Sequence, residues 1–150
     1  MPDEALFWQY NADSNSVASI VKHLSGNMLS RWTDFLTTDG EKEWRNRDTE
    51  FENDIQSRNE LLDVWEKGWS CLLNALDQLT EEDLQREIFI RGEKHSVVEA
   101  INRQLAHYPS HVGQIIFIGK MVLGENWQSL SIARGSSAQY NAAKFAQPKD

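Results

Sequence analysis

One stretch of the sequence encodes a complete helix together with both of its ends. It is residues 96–124, SVVEAINRQLAHYPSHVGQIIFIGKMVLG. Ser96 and Glu99 form the capping box that begins a helix, and Gly124 is placed to end it. Between these ends, apolar residues recur at helical spacing: Val97, Val98, Ile101, Leu105, Tyr108, Val112, Ile115, Ile116, Val122 and Leu123. The stretch therefore predicts a long helix with one apolar face.

Two histidines, His107 and His111, lie four residues apart on this predicted helix. Residues with this spacing project from the same side, one turn apart, so both imidazoles can reach one metal ion. A third imidazole from a facing helix would complete a three-histidine site that leaves room for an outside ligand. Pro109, between the two histidines, lacks an amide donor and presses against the carbonyl of Leu105. We therefore expect a kink or a local bulge there.

Another long helix is predicted upstream. Asp13–Ser16 offers several N-cap side chains, and apolar residues then recur at helical spacing from Val17 to Leu36. We expect this helix to end near Thr37–Gly40, with Gly40 as its C-terminal stop. His23 borders its apolar face just as the histidine pair borders the face of the last helix. His23 is therefore the candidate third ligand.

A helix is also predicted from about Glu52 to Asp77. Its apolar residues fall almost on a heptad: Ile55, Leu62, Trp65, Trp69, Leu72, Leu76 and Leu79, with Leu61 and Leu73 widening the face. Arg58 occupies its one polar core-type position. Cys71 lies among large apolar residues, so we interpret it as a small core residue rather than a nucleophile.

Two segments before and between these helices are interpreted as loops. Residues 1–13 form an N-terminal loop, and residues 41–50 form a highly charged loop because no helical or strand period fits them. Two interpretations of residues 41–50 stay open. The loop is a solvated connector anchored by Trp44, or it brings Arg45 or Arg47 over a cleft to hold an anionic group.

The rest of the chain is mostly irregular. Thr80–Asp83 is predicted to form a cap and an acidic turn. Glu87–Arg91 is an extended segment over one end of the bundle, and no comparable second strand follows it, so we expect no real sheet. His95 is interpreted as a surface or capping residue. Residues 125–150 form a loop and a tail with a mobile end.

The composition indicates a single folded domain over residues 1–150. Six tryptophans and a hydrophobic fraction of 40% are typical of a globular protein with a substantial core. A net charge of −8 disfavours binding to nucleic acid or to anionic membranes, since both require cationic surface. No secretory signal or membrane-spanning run is visible, and a single cysteine excludes an intrachain disulfide. We therefore expect a cytoplasmic protein.

The histidines are the residues of this sequence that are arranged for recognisable chemistry. The residue after His107 is Tyr108 rather than Glu, so the metalloprotease pattern is absent. A divalent ion on three neutral imidazoles keeps its full charge, and it can lower the pKa of a bound water to about 7 or convert a thiol to a thiolate. Asn27 and Gln114 each share a helix stripe with a histidine. They are candidates for hydrogen bonds to a metal ligand or to a substrate.

Five stretches of the chain resemble the DinB-like superfamily, and within it a branch of unknown function. They are VKHLSGNM (21–28), WTDFL (32–36), WRNRD (44–48), RGEKHS (91–96) and HYPSHVGQ (107–114), in this order. The resemblance covers nearly the whole chain and implies an all-α, up-down four-helix bundle, usually dimeric. It also implies a metal bound by one histidine of an earlier helix and an HxxxH pair of the last helix. These positions fall on His23, His107 and His111.

The resemblance also implies a chemistry and points to two differences, one of which is Pro109 between the two histidines of the last helix. The superfamily includes metal-dependent thiol transferases and isomerases that use low-molecular-weight thiols. Relatives in this branch carry a further long helix before the segment that matches Leu6–Gln9, so we expect three long helices here where the family has four. A partner or the C-terminal tail would then cover the apolar face left open, and we expect a homodimer.

Two hypotheses about function follow. In the first, the chain is a metal-dependent enzyme, thiol-transferase-like or hydrolase-like, with a small-molecule substrate and zinc or nickel as the expected ion. In the second, it is a non-catalytic metal-binding or structural helical-bundle protein. Both metal-binding hypotheses require the three imidazoles to converge in the fold.

Overall fold

The computed structural model describes residues 1–52 and 54–147. This part of the chain is mostly helical, as expected. Its elements are α1 (Asp3–Leu6), α2 (Val17–Trp32), α3 (Arg58–Asp77), β1 (Glu87–Ile90), β2 (Glu93–Ser96), α4 (Val97–Leu123) and α5 (Ser137–Phe145). Short 3-10 turns occupy Asp48–Phe51, Glu82–Gln85 and Gly124–Asn126. None of the helices described is both long and apolar enough to cross a membrane.

Helix α2 is the centre of the fold, and α3 and α4 both pack against it. Most of its side chains are buried, including polar ones. Helix α3 comes close to α2 at Gly68, where a Cβ atom would lie 2.8 Å from the Cα of Ser25. Real Cβ atoms do not approach a backbone atom so closely, so glycine at this position allows the two helices to meet.

Helix α2 ends earlier than predicted, at Trp32 rather than near Thr37–Gly40. The chain turns sharply at Asp34, whose φ of 48° lies in the left-handed region. Gly40 is therefore not a helix stop. Its amide donates to the carbonyl of Phe89 at 2.7 Å, which ties the segment after α2 to strand β1.

Helix α3 begins at Arg58 rather than near residue 52, because Ser57 caps it by accepting from the amide of Glu60 at 3.2 Å. The interpretation of Arg58 as a core residue is wrong. Its guanidinium lies at the surface, where it donates to the Asp3 carboxylate at 2.6 Å. Cys71 is half-buried against α2, in keeping with a packing role. Residue 53, within the predicted helix, lies outside the described residues.

The expectation of no sheet is wrong, because β1 and β2 form an antiparallel hairpin in which Glu87 pairs with Ser96 and Ile90 with Glu93. Arg91 and Gly92 form its two-residue turn, with φ of 57° and 74°. Positive φ at both positions is what a type I′ hairpin turn requires. His95 therefore lies within a strand, half-buried, and not in a helix cap.

Helix α4 confirms the predicted ends. The side chain of Ser96 accepts from the Glu99 amide and the Glu99 carboxylate accepts from the Ser96 amide, which is the capping box. At the other end Gly124 adopts a φ of 51°. The helix is α-helical at every residue from Val97 to Leu123, all of which are described, so no bulge forms at Pro109.

An apolar groove runs between α3 and α4 and is open to solvent, with Leu73, Leu105 and Pro109 in its wall. The homodimer expected from such a surface stays a prediction.

Both ends of the chain differ from the loops predicted there. Residues 1–13 contain the short helix α1, and the segment 125–150 contains the exposed helix α5. The expected mobile end falls partly on residues 148–150, which lie outside the described residues.

Candidate metal centre

Three imidazoles converge between α2 and α4. His23 comes from α2, and His107 and His111 come from successive turns of α4. The Nε2 atom of His107 lies 3.4 Å from Nε2 of His23 and 3.1 Å from Nε2 of His111. One nitrogen from each ring lies within 4.8 Å of the other two. The continuous α4 helix thus brings both of its histidines to one point despite the proline between them.

Two of the three spacings between these nitrogens fit a divalent cation, and the third pair lies within 4.8 Å. Nitrogens that bind one tetrahedral ion at about 2.05 Å are separated by about 3.3 Å. The two Nε2–Nε2 distances of 3.1 and 3.4 Å bracket that value. Imidazole donors suit zinc and nickel, among other ions. The donor set of the described residues is therefore compatible with the expected metal.

The Nδ1 nitrogens of two of these rings, His23 and His111, form hydrogen bonds with side-chain oxygens. Nδ1 of His23 lies 2.9 Å from the carboxylate of Glu50, and Nδ1 of His111 lies 2.9 Å from the amide oxygen of Gln114. Carboxylate and amide oxygens accept hydrogen bonds, so both Nδ1 atoms carry the proton when the rings are neutral. The Nε2 lone pairs of His23 and His111 then face the same point. Metal-binding histidines are held in this way in known sites.

Glu50 reaches His23 from the loop that follows α2. It is 5% exposed and also accepts from Arg45, at 2.7 Å from Nε and 3.0 Å from Nη2. Burial raises the pKa of the Glu50 carboxyl, but the hydrogen bonds from His23 and Arg45 outweigh burial and lower it overall. A Cβ atom on Gly26 would lie 2.3 Å from this carboxylate. Glycine within α2 therefore makes room for Glu50.

The histidine pair of α4 is held neutral. Burial, followed by the nearby His111 and His23, lowers the pKa of His107 from 6.5 to about 4. Burial also lowers the pKa of His111, against the opposing hydrogen bond from Gln114. Both rings are neutral at physiological pH and can donate lone pairs to a cation. The site therefore needs no deprotonation of these two rings to bind a metal.

A cavity of about 360 Å³ adjoins the triad, and both His23 and His107 line it. Its wall also contains five of the eight arginines of the chain: Arg31, Arg45, Arg47, Arg91 and Arg103. Helix α2, the segment after it, the hairpin turn and α4 all contribute to this arginine cluster. A strongly cationic cavity thus lies beside the three histidines of a chain whose net charge is −8.

A comparison of the sequence with known families identifies its relatives. A family model described as "Protein of unknown function (DUF1572)" matches residues 1–136. The chain belongs to the DUF1572 family. No curated protein and no solved structure matches this DUF1572 chain. The expectation of a family of unknown function is confirmed, and any activity has to be argued from the site.

The polar residues predicted around the triad of this DUF1572 chain divide into two groups. Gln114 contacts His111 directly, as predicted. Asn27 instead accepts from the hydroxyl of Tyr108 at 3.2 Å and lines the cavity beside His23. Arg47 also lines the cavity, through an exposed side chain. Gln114 therefore acts on a histidine, whereas Asn27 and Arg47 face the space in which a ligand could lie.

The first of the two interpretations of residues 41–50, a solvated connector anchored by Trp44, does not fit the structure. Trp44 is 60% exposed and therefore does not anchor the loop, whereas the Arg45 side chain is only 2% exposed. Sequence reasoning missed Glu50, and it missed Arg31, Arg91, Arg103 and Gln104 as residues that line the cavity. The available signal for Glu50 was Gly26, an unfavourable residue within a helix that lies one turn from His23.

Proposed function

We propose that this DUF1572 chain is a DinB-like divalent-metal-binding protein and a metal-dependent enzyme, thiol-transferase-like or hydrolase-like. The observation that carries the proposal is the convergence of three Nε2 atoms, two of them on rings whose Nδ1 atoms bind acceptors. A cation between these nitrogens would accept a lone pair from each ring. The order of motifs along the chain supports the DinB-like assignment.

The chain supplies the ligands, their orientation and a space for the substrate. His23, His107 and His111 would hold zinc or nickel. A divalent ion on three neutral imidazoles lowers the pKa of a bound water to about 7 or stabilises a thiolate. Glu50 fixes the ring of His23, and Gln114 fixes that of His111. The adjoining cavity gives a small molecule access to the same point.

Metal analysis of protein purified without a histidine tag tests the binding part of the proposal. We expect about one zinc or nickel ion per chain after reconstitution. His107→Ala should abolish binding, whereas His95→Ala should not, since His95 lies in β2 outside the triad. Less than about 0.2 metal per chain, unchanged by His107→Ala, would contradict the metal site.

Activity measurements separate an enzyme from a non-catalytic metal protein. The probes are N-acetylcysteine with 1-chloro-2,4-dinitrobenzene for thiol transfer and p-nitrophenyl acetate for hydrolysis. We expect one of the two reactions to require metal and to be lost in His23→Ala but not in His95→Ala. If metal binds and neither reaction depends on it, the alternative of a non-catalytic metal-binding protein is favoured.

A further inference from the structure

We propose that the arginine-lined cavity beside the triad binds the carboxylate or phosphate group of a small substrate. This inference rests on the proposed function, because it names the chemical class of the ligand that the same site would act on. Arg45 and Gln104 would contact the oxyanion at the buried end of the cavity, and Arg47 and Arg103 at its exposed end.

The charge of the cavity favours an anion. The carboxylates paired with its five arginines are Glu41, which contacts Arg31, Arg91 and Arg45, and Glu50, which contacts Arg45. The cluster therefore keeps three positive charges in excess. Within the described residues, neither Arg47 nor Arg103 forms an ion pair. Guanidinium groups bind carboxylate and phosphate oxygens through two parallel hydrogen bonds, so an oxyanion suits this cluster.

Arg45 lines this cavity and carries one donor that no described residue uses. Its Nε and Nη2 atoms bind Glu50, which fixes the plane of the guanidinium. Its Nη1 atom is buried and has no hydrogen-bond partner among the residues described, and it lies 3.7 Å from a carboxylate oxygen of Glu41. A buried hydrogen-bond donor without an acceptor is costly, and the cost is removed if a ligand supplies the acceptor.

Gln104 presents a second unused polar atom in the same wall. It is 5% exposed, and its Oε1 atom has no partner in the described part of the chain. The amide can accept from a hydroxyl of the ligand, or it can turn about its last bond and donate to an oxyanion. A donor from Arg45 and an adaptable amide from Gln104 thus line one polar cavity.

The size and position of the cavity place the ligand beside the histidines. A volume of about 360 Å³ is near the lower end of small-molecule sites. Because His23 and His107 belong to the same wall, a molecule held by the arginines would have its other end near the triad. An extended polyanion such as nucleic acid does not suit a cavity of this size in a chain of net charge −8.

Direct binding measurements test this inference without relying on activity. Succinate and inorganic phosphate are titrated into metal-free and zinc-loaded protein by calorimetry, with the neutral succinamide as control. We expect succinate or phosphate to bind both forms and succinamide to bind neither. Arg103→Gln and Gln104→Leu should weaken binding by about tenfold, the loss expected for one charge-assisted hydrogen bond. Arg134→Gln makes the same charge change outside the cavity and should leave the affinity unchanged.

The outcomes distinguish failure of this inference from failure of the metal proposal. If zinc binds and neither anion binds at up to about 10 mM, the inference is wrong and the metal proposal stands. The inference also fails if Arg134→Gln weakens binding as much as Arg103→Gln, or if succinamide binds equally well. If the anions bind and zinc does not, the metal proposal fails and the ligand class stands. The relative affinities of succinate and phosphate show which oxyanion the cavity accepts.

Discussion

Replacing Glu50 by glutamine tests whether one buried carboxylate supports both the histidine triad and the arginine cluster. Glu50 accepts from Nδ1 of His23 at 2.9 Å and from two nitrogens of Arg45. Glutamine keeps the shape of the side chain but removes its charge and one of its two acceptor oxygens. Either the imidazole or the guanidinium must then lose its partner.

The structure gives a magnitude for each loss. Removing the hydrogen-bond partner of a metal-binding histidine lowers the affinity for the metal by about 10- to 100-fold, or about 1.4–2.7 kcal/mol. Breaking a buried ion pair on one side costs about 3–5 kcal/mol of unfolding free energy. The Arg45 and Glu50 side chains are 2% and 6% exposed, so solvent screens their pair little. Since Gln can still accept one hydrogen bond, we expect about 3 kcal/mol, the lower end of that range.

Two assays measure these effects, with Glu52→Gln as the control because it neutralises an exposed carboxylate two residues away. Urea unfolding of metal-free protein, followed by tryptophan fluorescence, gives the free energy of unfolding. Competition with a chromophoric chelator gives the zinc affinity. If Glu50→Gln matches Glu52→Gln in both assays, Glu50 supports neither the triad nor the arginines, and the reasoning is refuted.

Three further predictions concern packing, pH and the α4 proline. Gly68→Ala should lower the free energy of unfolding by about 1–3 kcal/mol in urea unfolding, because its Cβ would overpack against the Ser25 backbone, whereas an unchanged midpoint would contradict the close approach. In the presence of EDTA, the melting temperature should fall as the pH decreases from 6.5 to about 4, since unfolded His107 gains its proton near 6.5 and the folded ring only near 4. His107→Gln should show a smaller fall. Pro109→Ala should raise the free energy of unfolding by about 2 kcal/mol, because it restores a donor towards the Leu105 carbonyl. Equal or lower stability would show that α4 accommodates proline without cost.

The parts of the fold that local patterns encode were predictable from the sequence. The apolar period of α4 and the Ser96–Glu99 capping box gave its bounds, because both signals come from residues within one element. The spacing of His107 and His111 and the matching position of His23 predicted their convergence. These predictions succeed because helical spacing fixes which side of a helix each side chain occupies.

Features that depend on distant partners were not predictable in this way. Strand β2, EKHS, is polar and largely exposed, so it carries no alternating apolar signal, and its pairing depends on the backbone of β1. Glu50 lies in a charged segment that has the composition of a surface loop. Its burial depends on His23, 27 residues away, and on the space beside Gly26. Gly26 indicates that something packs closely against α2, but no local rule identifies Glu50 as that residue.

Stability alone does not account for the residues around the triad. Gly26 in the interior of α2 costs about 1 kcal/mol relative to alanine, and Pro109 in the interior of α4 costs about 3 kcal/mol. The arginine cluster adds like charges that its carboxylates do not neutralise. Three locally unfavourable features therefore lie near the triad, and two of them have a role there: Gly26 admits Glu50, and the arginines make the cavity cationic. Pro109 lies on α4 between two of the histidines, and the described contacts give it no such role. Local rules are broken in this way mainly at functional sites, and these features therefore support the proposal that the triad and its cavity bind a ligand.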